Sequence, residues 1–532
     1  MSFASMPSPS PAGRVVVTRA LFETADVQSV RDLLLAEADR RELTVDEAGP
    51  DLFVETFLDT RDWRVHRAGT YLVHRDFGAA SEIGWGSLRG GAGDPPLFGT
   101  SVALPTASPH LPEDCPEPLQ GALRALAGRR PFRPALELDV RREELVVKRA
   151  GNWLGTVILV HAVATRRSPV AGVRLSRVEV RAAVDAAGSA DPIFSALRDR
   201  AGLAPVTTST YEAALLAAAM PLPGRPEVGP LDVHLGITSA ELAFAVLRRQ
   251  FREIVRREPG ARLGLDPEEL HKLRVAVRRL RAALRLWRWC LGPVARELQR
   301  EWSVLGRALG APRDLDVELE SLDAWSQRLS PAERVAFAPV EAWVTALREE
   351  ARMRMLVAMD ARHQERLARG TSRWLREGRA LPLEGRRPAR REVGRLVRRR
   401  YRALREHGRN IAEDSPAAEL HRVRILAKHL RYCLEFHAEL LGPDARRMVH
   451  CLVQLQDALG EYQDLQVSLD RLRPLGQDSS APLAAGSLAV LDRLREERRL
   501  RALELRRGFA EAFARIRGPA WKQLKGELGS WS

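Results

Sequence analysis

Hydrophobic and polar positions along this 532-residue chain follow two different rules, and the change falls near residue 220. Between Arg14 and Leu216, short runs rich in Val and Leu alternate with polar positions: "RVVVTRALF", "LFVETFLD", "TYLVHRD", "ALELDVRREELVV", "TVILVHAVATR" and "VRLSRVEVRAAV". Alternation of period two predicts half-buried β-strands. The runs "VQSVRDLLLAEADR" and "DPIFSALRDRAG" between them have helical spacing. An α+β domain over 14–220 follows, an antiparallel β-barrel-like arrangement with helices beside it. "PLPGRPEVGP", from Pro221 to Pro230, has the composition of a linker, placed here at 221–238. Beyond it, apolar residues recur every three to four positions almost to the end. Interruptions fall at "LGPVA", "LGAPRD", "REGRALPLEGRRPARR", "LLGPDA" and "LGQDSSAPLAAGS". About eight or more amphipathic helices on short loops are predicted, an all-α domain over 239–517. The opening residues 1–13 form a disordered leader in this reading, and 518–532 a C-terminal tail.

The helical part repeats itself. "HKLRVAVRRLRAALRLW" starts at His271 and "HRVRILAKHLRYCLEFH" at His421. An offset of 150 pairs His271 with His421, Arg274 with Arg424, Arg278 with Lys428, Leu280 with Leu430 and Arg281 with Arg431. The same offset pairs Leu305 with Leu455, Leu309 with Leu459, Gly310 with Gly460 and Asp314 with Asp464. Two homologous helical bundles, about 240–370 and 390–515, are the expectation.

Helical geometry sorts the repeated segment into two faces. At about 100° per residue, Arg274, Arg278, Arg281 and Arg285 lie within one arc of about 60°, and Leu273, Val277, Leu280 and Leu284 lie opposite. The second copy repeats this with Arg424, Lys428 and Arg431 against Val423, Ala427, Leu430 and Leu434. Glu435 stands where the fourth arginine would be. The apolar face belongs in a bundle core. The basic face repels itself by about 0.2–0.5 kcal/mol per like pair. Acidic neighbours or a bound anion must offset that. "LDPEEL" suggests Asp266 as N-cap, Pro267 at the first helical position and Glu269 closing a capping box, and "DSPAAEL" offers Ser415 and Pro416. Both histidines then sit one turn in, where a bound polyanion would favour the charged imidazole.

Charge and composition narrow the chemistry. Lys and Arg number 84 against 69 Asp and Glu, a formal net charge of +15, and arginine dominates. The planar guanidinium fits phosphate oxygens in a forked geometry. Cys115, Cys290, Cys433 and Cys451 are scattered, so a disulfide framework or zinc ribbon is not expected, and a reducing cytoplasm fits. No apolar stretch reaches membrane-spanning length, so no membrane partner is expected. Neither His271 nor His421 has a ligand partner at i+4, so no metal site is expected. Asp314 and Asp464 read as caps or arginine partners. No cofactor is expected.

The His-x-x-Arg-x-x-x-(Arg/Lys)-x-Leu-Arg helix followed by Leu-Gly-x-x-x-Asp-Leu, present twice over about 240–515, resembles the CHAD family, the conserved histidine α-helical domain. The resemblance implies two antiparallel four-helix bundles about a pseudo-two-fold axis, a basic central cleft that binds inorganic polyphosphate, and association with polyphosphate granules. Carried over by position, the implied ligands are His271, Arg274, Arg278, Arg281, Arg285, His421, Arg424, Lys428 and Arg431. Arg248, Arg252, Arg398 and Arg402, on the first helix of each bundle, are further candidates. Glu435 departs from the pattern.

The N-terminal part resembles a CYTH domain, the triphosphate tunnel fold, through "FVETFLDTRDWRVHRAGTYLVHRD" and "SRVEVRAAV…DPIFSALRDRAGL…TTSTYEAAL". That family's Glu-x-Glu-x-Lys first strand holds divalent cations. Here the strand reads "VVVTR", Val15 to Arg19, with valine for both glutamates. The later acidic pair is reduced to Glu179 between Arg177 and Arg181. Thr210 stands where a lysine precedes the final tyrosine, Tyr211. Arg75 and Arg141 remain. The resemblance therefore implies a degenerate tunnel without its metal site. The sequence predicts a non-catalytic, cytoplasmic polyphosphate-binding protein. A triphosphatase acting through the N-terminal tunnel, unspecific nucleic-acid binding, and a scaffold with internally paired arginines remain as alternatives. Aromatics are not interleaved along the basic face, as stacking platforms for nucleic acid require.

Overall fold

The computed structural model describes residues 16–88, 100–104, 108–117, 119–165, 172–184, 190–217, 227–378, 382–475 and 483–529. The chain divides into two compact units, Met1–Gly224 and Arg225–Ser532. The predicted leader, 1–13, and residues 221–226 of the predicted linker lie outside the described residues.

The first unit is built on one antiparallel sheet. Its strands are β1 (Val16–Glu23), β2 (Thr44–Glu47), β3 (Asp51–Asp59), β4 (Thr70–Asp76), β5 (Ser81–Ser87), β6 (Thr100–Leu104), β7 (Arg133–Arg149), β8 (Asn152–Ala164), β9 (Arg174–Val184) and β10 (Ala204–Pro205). They lie in the order β10-β1-β9-β8-β7-β3-β4-β5-β6, with β2 paired to β7. The helices are α1 (Val27–Arg40), α2 (Arg64–Arg67), α3 (Leu119–Ala127), α4 (Pro192–Arg200) and α5 (Thr210–Ala217). The six alternating runs become β1, β3, β4, β7, β8 and β9. Strand β5 reads Ser-Glu-Ile-Gly-Trp-Gly-Ser, and its small residues hide the alternation. Gly86 is required there, because a Cβ would overlap the Tyr71 ring on β4.

The sheet has two different faces. On one, Leu145, Val147, Val157, Leu159, Val178 and Val180 pack under Val30 and Leu34 of α1 and Ile193 and Leu197 of α4. On the other, Phe53, Phe57, Val73, Leu136, Leu138 and Val140 form an apolar patch against Tyr211 of α5. Beside that patch lie charged side chains from alternate positions: Glu55, Arg75, Glu82, Arg142, Glu144, Arg177, Glu179 and Arg181. Arg142 belongs to this face. Arg141, the residue singled out in the sequence, is paired across to His161 on the opposite face, because one step along a strand reverses the side chain.

The second unit is helical throughout: α6 (Ser239–Leu263), α7 (Pro267–Leu286), α8 (Arg288–Leu291), α9 (Pro293–Ala308), α10 (Gly310–Ser326), α11 (Pro331–Asp360), α12 (Arg362–Glu377), α13 (Ala389–Gly408), α14 (Ala417–Phe436), α15 (Pro443–Leu472), α16 (Ala485–Arg507), α17 (Phe509–Arg515) and α18 (Pro519–Gly529). Helices α6, α7, α9 and α12 pack together in the first half, and α13, α14, α15 and α18 in the second, with α7 against α14. Leu273, Val277, Leu280 and Leu284 are buried, as are Val423, Ala427, Leu430 and Leu434, so the apolar faces enter the core as their spacing predicts. Trp287 stacks on Phe436 where the halves meet, with ring centroids 5.7 Å apart.

Four details differ from the sequence reading. Residues 519–529 are a helix whose Leu524 and Leu528 are buried in the core, so no tail begins at 518. The described part of the linker is packed: Val228 and Ile237 are buried, and the carbonyls of Pro230 and Leu231 accept from Arg248 and Arg249. Asp266 caps α7 through the Glu268 amide, but Glu269 closes no capping box and instead takes Arg257 at 2.5 Å. Helix α14 starts at Ala417 without a side-chain cap, and Ser415 accepts from the Ala412 amide. The two copies also diverge at one proline. The first copy is divided into α9 and α10 at Leu309, whereas its counterpart α15 runs unbroken over 30 residues. Pro312 lacks an amide for the ladder, and Tyr462 stands at the equivalent position.

Candidate functional site

The repeated helices α7 and α14 lie alongside each other, and their contacts exchange under the 150-residue offset. Arg279 pairs with Glu435, and Arg285 meets His429 at 3.3 Å. Position 279 corresponds to 429 and 285 to 435, so these two contacts are one contact seen from both halves. Arg313 donates to Nδ1 of His271 at 3.4 Å, and the corresponding Gln463 meets Nδ1 of His421 at 3.1 Å. Arg274 pairs with Asp314 at 3.1 Å, and Asp464 attracts Arg424 in the second half. The pseudo-two-fold is therefore written in side-chain contacts as well as in sequence.

One exchange fails. Arg278 donates to the Tyr432 hydroxyl at 2.7 Å. The counterpart of Arg278 is Lys428 and that of Tyr432 is Ala282, which has nothing to accept with. Lys428 accordingly makes no hydrogen bond or ion pair among the described residues. It is half-buried. Burial pushes its ammonium down to about 7, and Arg278, Arg424, Arg274 and Arg431 push the same way. Burial and the charges of Arg278 and Arg274 also work against Arg424, whose buried Nε has no hydrogen-bond partner. Arg274, Arg278, Arg424 and Lys428 thus converge along the α7–α14 seam with fewer carboxylates than cations.

The remaining predicted residues divide. Arg281 is half-buried, without a partner among the described residues. Burial, Arg285 and Arg307 lower its pKa, and Gly306 makes room for its guanidinium. Arg285 is exposed and faces a histidine kept neutral, since burial and Arg285 hold His429 down to about 4. Burial, then Arg313, lowers the pKa of His271, whose Nδ1 serves as an acceptor. His421 is exposed. Arg431 is drawn off by Glu435 at 3.2 Å, and that carboxylate also holds Arg279. Arg248 is committed to the Leu375 carbonyl at 2.7 Å and Arg398 to the Leu528 carbonyl at 3.4 Å. Each binds a carbonyl near the end of the last helix of its half, a structural task. Arg252 is half-buried and Arg402 exposed, neither on the seam helices. Sequence reasoning missed Arg279, Tyr432, Arg307 and Arg313. Only their position in the repeat register could have pointed to them.

On the charged face of the sheet, cations and carboxylates cancel. Arg75 holds Glu55 and Glu82, each at 2.7 Å, Arg181 holds Glu179 at 2.6 Å, and Arg142 pairs with Glu144. A divalent cation of the tunnel kind needs carboxylates free to bind it. Here they hold arginines. The residues do not fit such a metal.

The CHAD domain family model matches residues 245–473. The crystal structure of the CHAD domain from the plant Ricinus communis is similar at 26% identity, covering 55% of this chain and 96% of that one, with a TM-score of 0.46. PptA from Streptomyces chartreusis follows at 18% identity, covering 52% and 100%, with a TM-score of 0.44. A putative adenylate cyclase from Bacillus halodurans is similar at 12% identity, covering 37% and 94%, with a TM-score of 0.23. No curated protein matches the chain. Among the described residues no helix is long and apolar enough to cross a membrane.

Proposed function

We propose that this protein binds inorganic polyphosphate along the α7–α14 seam, without chemistry on it, a reading that the match of residues 245–473 to the CHAD domain family model supports. One observation carries the reading. Arg281 and Lys428 are half-buried cations without a hydrogen bond or ion pair among the described residues, and beside Lys428 the buried Nε of Arg424 has no hydrogen-bond partner, whereas the fully buried Arg262 and Arg498 are tied to carboxylates. A desolvated cation costs free energy unless an anion joins it. A chain of phosphates would supply one acceptor after another along the seam. Arginine forks would hold the oxygens by charge-assisted hydrogen bonds, and release of counterions would make affinity fall with salt. His271 would regain its proton beside the phosphates. The N-terminal sheet serves as scaffold, since Arg75, Arg142 and Arg181 on its charged face are already held by carboxylates. In the cell the protein would work in the cytoplasm, on polyphosphate granules.

Calorimetric titration with long-chain polyphosphate at about 150 mM salt tests this, with duplex DNA in parallel. The expected result is selective binding that is lost in an Arg278→Gln, Arg424→Gln, Lys428→Gln variant with unchanged helical circular dichroism. Equal binding of DNA, or full binding by the variant, overturns it.

A further inference from the structure

The outward face of α13 carries a second row of arginines. Arg391, Arg395, Arg399, Arg402, Arg405 and Arg409 are all exposed. They fall within an arc of about 120° and span about 27 Å of helix axis. Val393, Leu396, Val397 and Leu404 on the opposite side are buried, and Arg400, on that inner side, acts on His429 of α14. The row therefore faces away from the seam.

Several surface arginines elsewhere in this unit pair with a carboxylate one turn away, whereas others, such as Arg296, Arg366 and Arg373, have none among the described residues. Arg256 pairs with Glu253 at 2.6 Å, Arg354 with Glu350 at 3.2 Å, Arg499 with Glu496 at 3.5 Å and Arg515 with Glu511 at 2.7 Å. Of the six in the row, Arg395 pairs with a carboxylate, Glu392 at 2.6 Å. The other five have none among the described residues. Helix stability does not account for the row. Arg391 and Arg395 lie in the first two turns, where the helix dipole disfavours cations. The fold does not require it either, because the equivalent positions on α6 are Glu241, Ala245, Arg249, Arg252, Val255 and Pro259.

We infer that this face is a second polyphosphate-binding surface, which a long chain reaches after filling the seam. The inference rests on the proposed function. The row offers six guanidinium groups with one exposed carboxylate, Glu406, in the same arc; Tyr401, the aromatic on this helix, is buried and stacked on Trp521, so no base platform is present. The helix's apolar side is buried in the core, so none is left to enter a membrane. A chain engaging both faces must pass around a helix about 10 Å thick, which short oligomers cannot do. Bivalent engagement then makes affinity grow with chain length.

The test compares the full chain with an Arg391→Gln, Arg399→Gln, Arg405→Gln, Arg409→Gln variant, titrated with tripolyphosphate and with long-chain polyphosphate across salt. The variant is expected to bind tripolyphosphate unchanged and the long chain at least tenfold more weakly, with the slope of log affinity against log salt reduced by about 3. Circular dichroism and a seam variant as reference separate folding loss from surface loss. Unchanged long-chain affinity and slope overturn the second surface while leaving the seam intact. No polyphosphate binding by the wild type overturns both. Loss of duplex DNA binding in the variant, with long-chain polyphosphate binding unaffected, overturns the ligand assignment.

Discussion

Lys428 is the place where the failed symmetry of the seam can be measured without any ligand. Substituting Lys428→Met keeps an unbranched chain of similar length and removes the charge. In the unfolded chain the ammonium titrates near its ordinary 10.5, and in the folded protein near about 7. Between those values the unfolded state holds more protons than the native one, so wild-type stability rises with pH across this window. The burden is fully present below pH 7 and gone above about 10.5. At about 1.4 kcal/mol per decade its ceiling is about 5 kcal/mol. Lys428 is only half-buried, and its flexible stem can swing towards water, so we expect nearer 2 kcal/mol. Urea unfolding followed by circular dichroism, on both proteins from pH 6 to 9.5, isolates the effect, because groups common to both cancel. The Met variant should be the more stable at pH 6, and its advantage should shrink steadily as pH rises. A difference that stays flat with pH, or a variant less stable throughout, would refute the account of Lys428 as an unpaired buried cation.

Other substitutions probe the surroundings. Asp314→Asn releases Arg274 from a half-exposed pair worth about 0–1 kcal/mol, so tripolyphosphate affinity should rise by up to about fivefold in calorimetry. Glu435→Gln frees Arg279 and Arg431 together. Long-chain affinity should then gain about one to two further counterions in its salt slope, and an unchanged slope would show that neither guanidinium reaches the ligand. Gly306→Ala places a Cβ 2.9 Å from the Arg281 guanidinium, so binding should weaken while helix propensity raises the melting temperature slightly. Gly408→Ala drives a Cβ into the Phe513 ring of α17. A loss of about 1–3 kcal/mol in urea unfolding, with affinity unchanged, is expected.

What the sequence could say depended on how far each signal extended. Periodicity runs over whole elements, so the apolar faces of α7 and α14 and the six alternating strands were legible. Strand β5 was not, because Gly84 and Gly86 accommodate the neighbouring strand and carry no alternation of their own. The tail was misread for a related reason. "GPAWKQLKGELGSWS" has few apolar residues, and the burial of Leu524 and Leu528 depends on a groove supplied by distant helices.

The seam shows the same division at the level of single residues. The offset of 150 named Arg274, Arg278, Arg424 and Lys428 as one set, because a repeat preserves position. It could not say which cations are neutralised, because neutralisation depends on the partner across the axis. Glu435 and Tyr432 are both departures from the repeat, one facing Arg279 and Arg431, the other facing Arg278. Each removes a cation from the free set or fixes its direction. Ala282 supplies no such partner and leaves Lys428 exposed to its like-charged neighbours. If the seam binds an anion as proposed, the asymmetric positions rather than the repeated ones would decide where it gains most, and that point would lie beside Lys428 and Arg424.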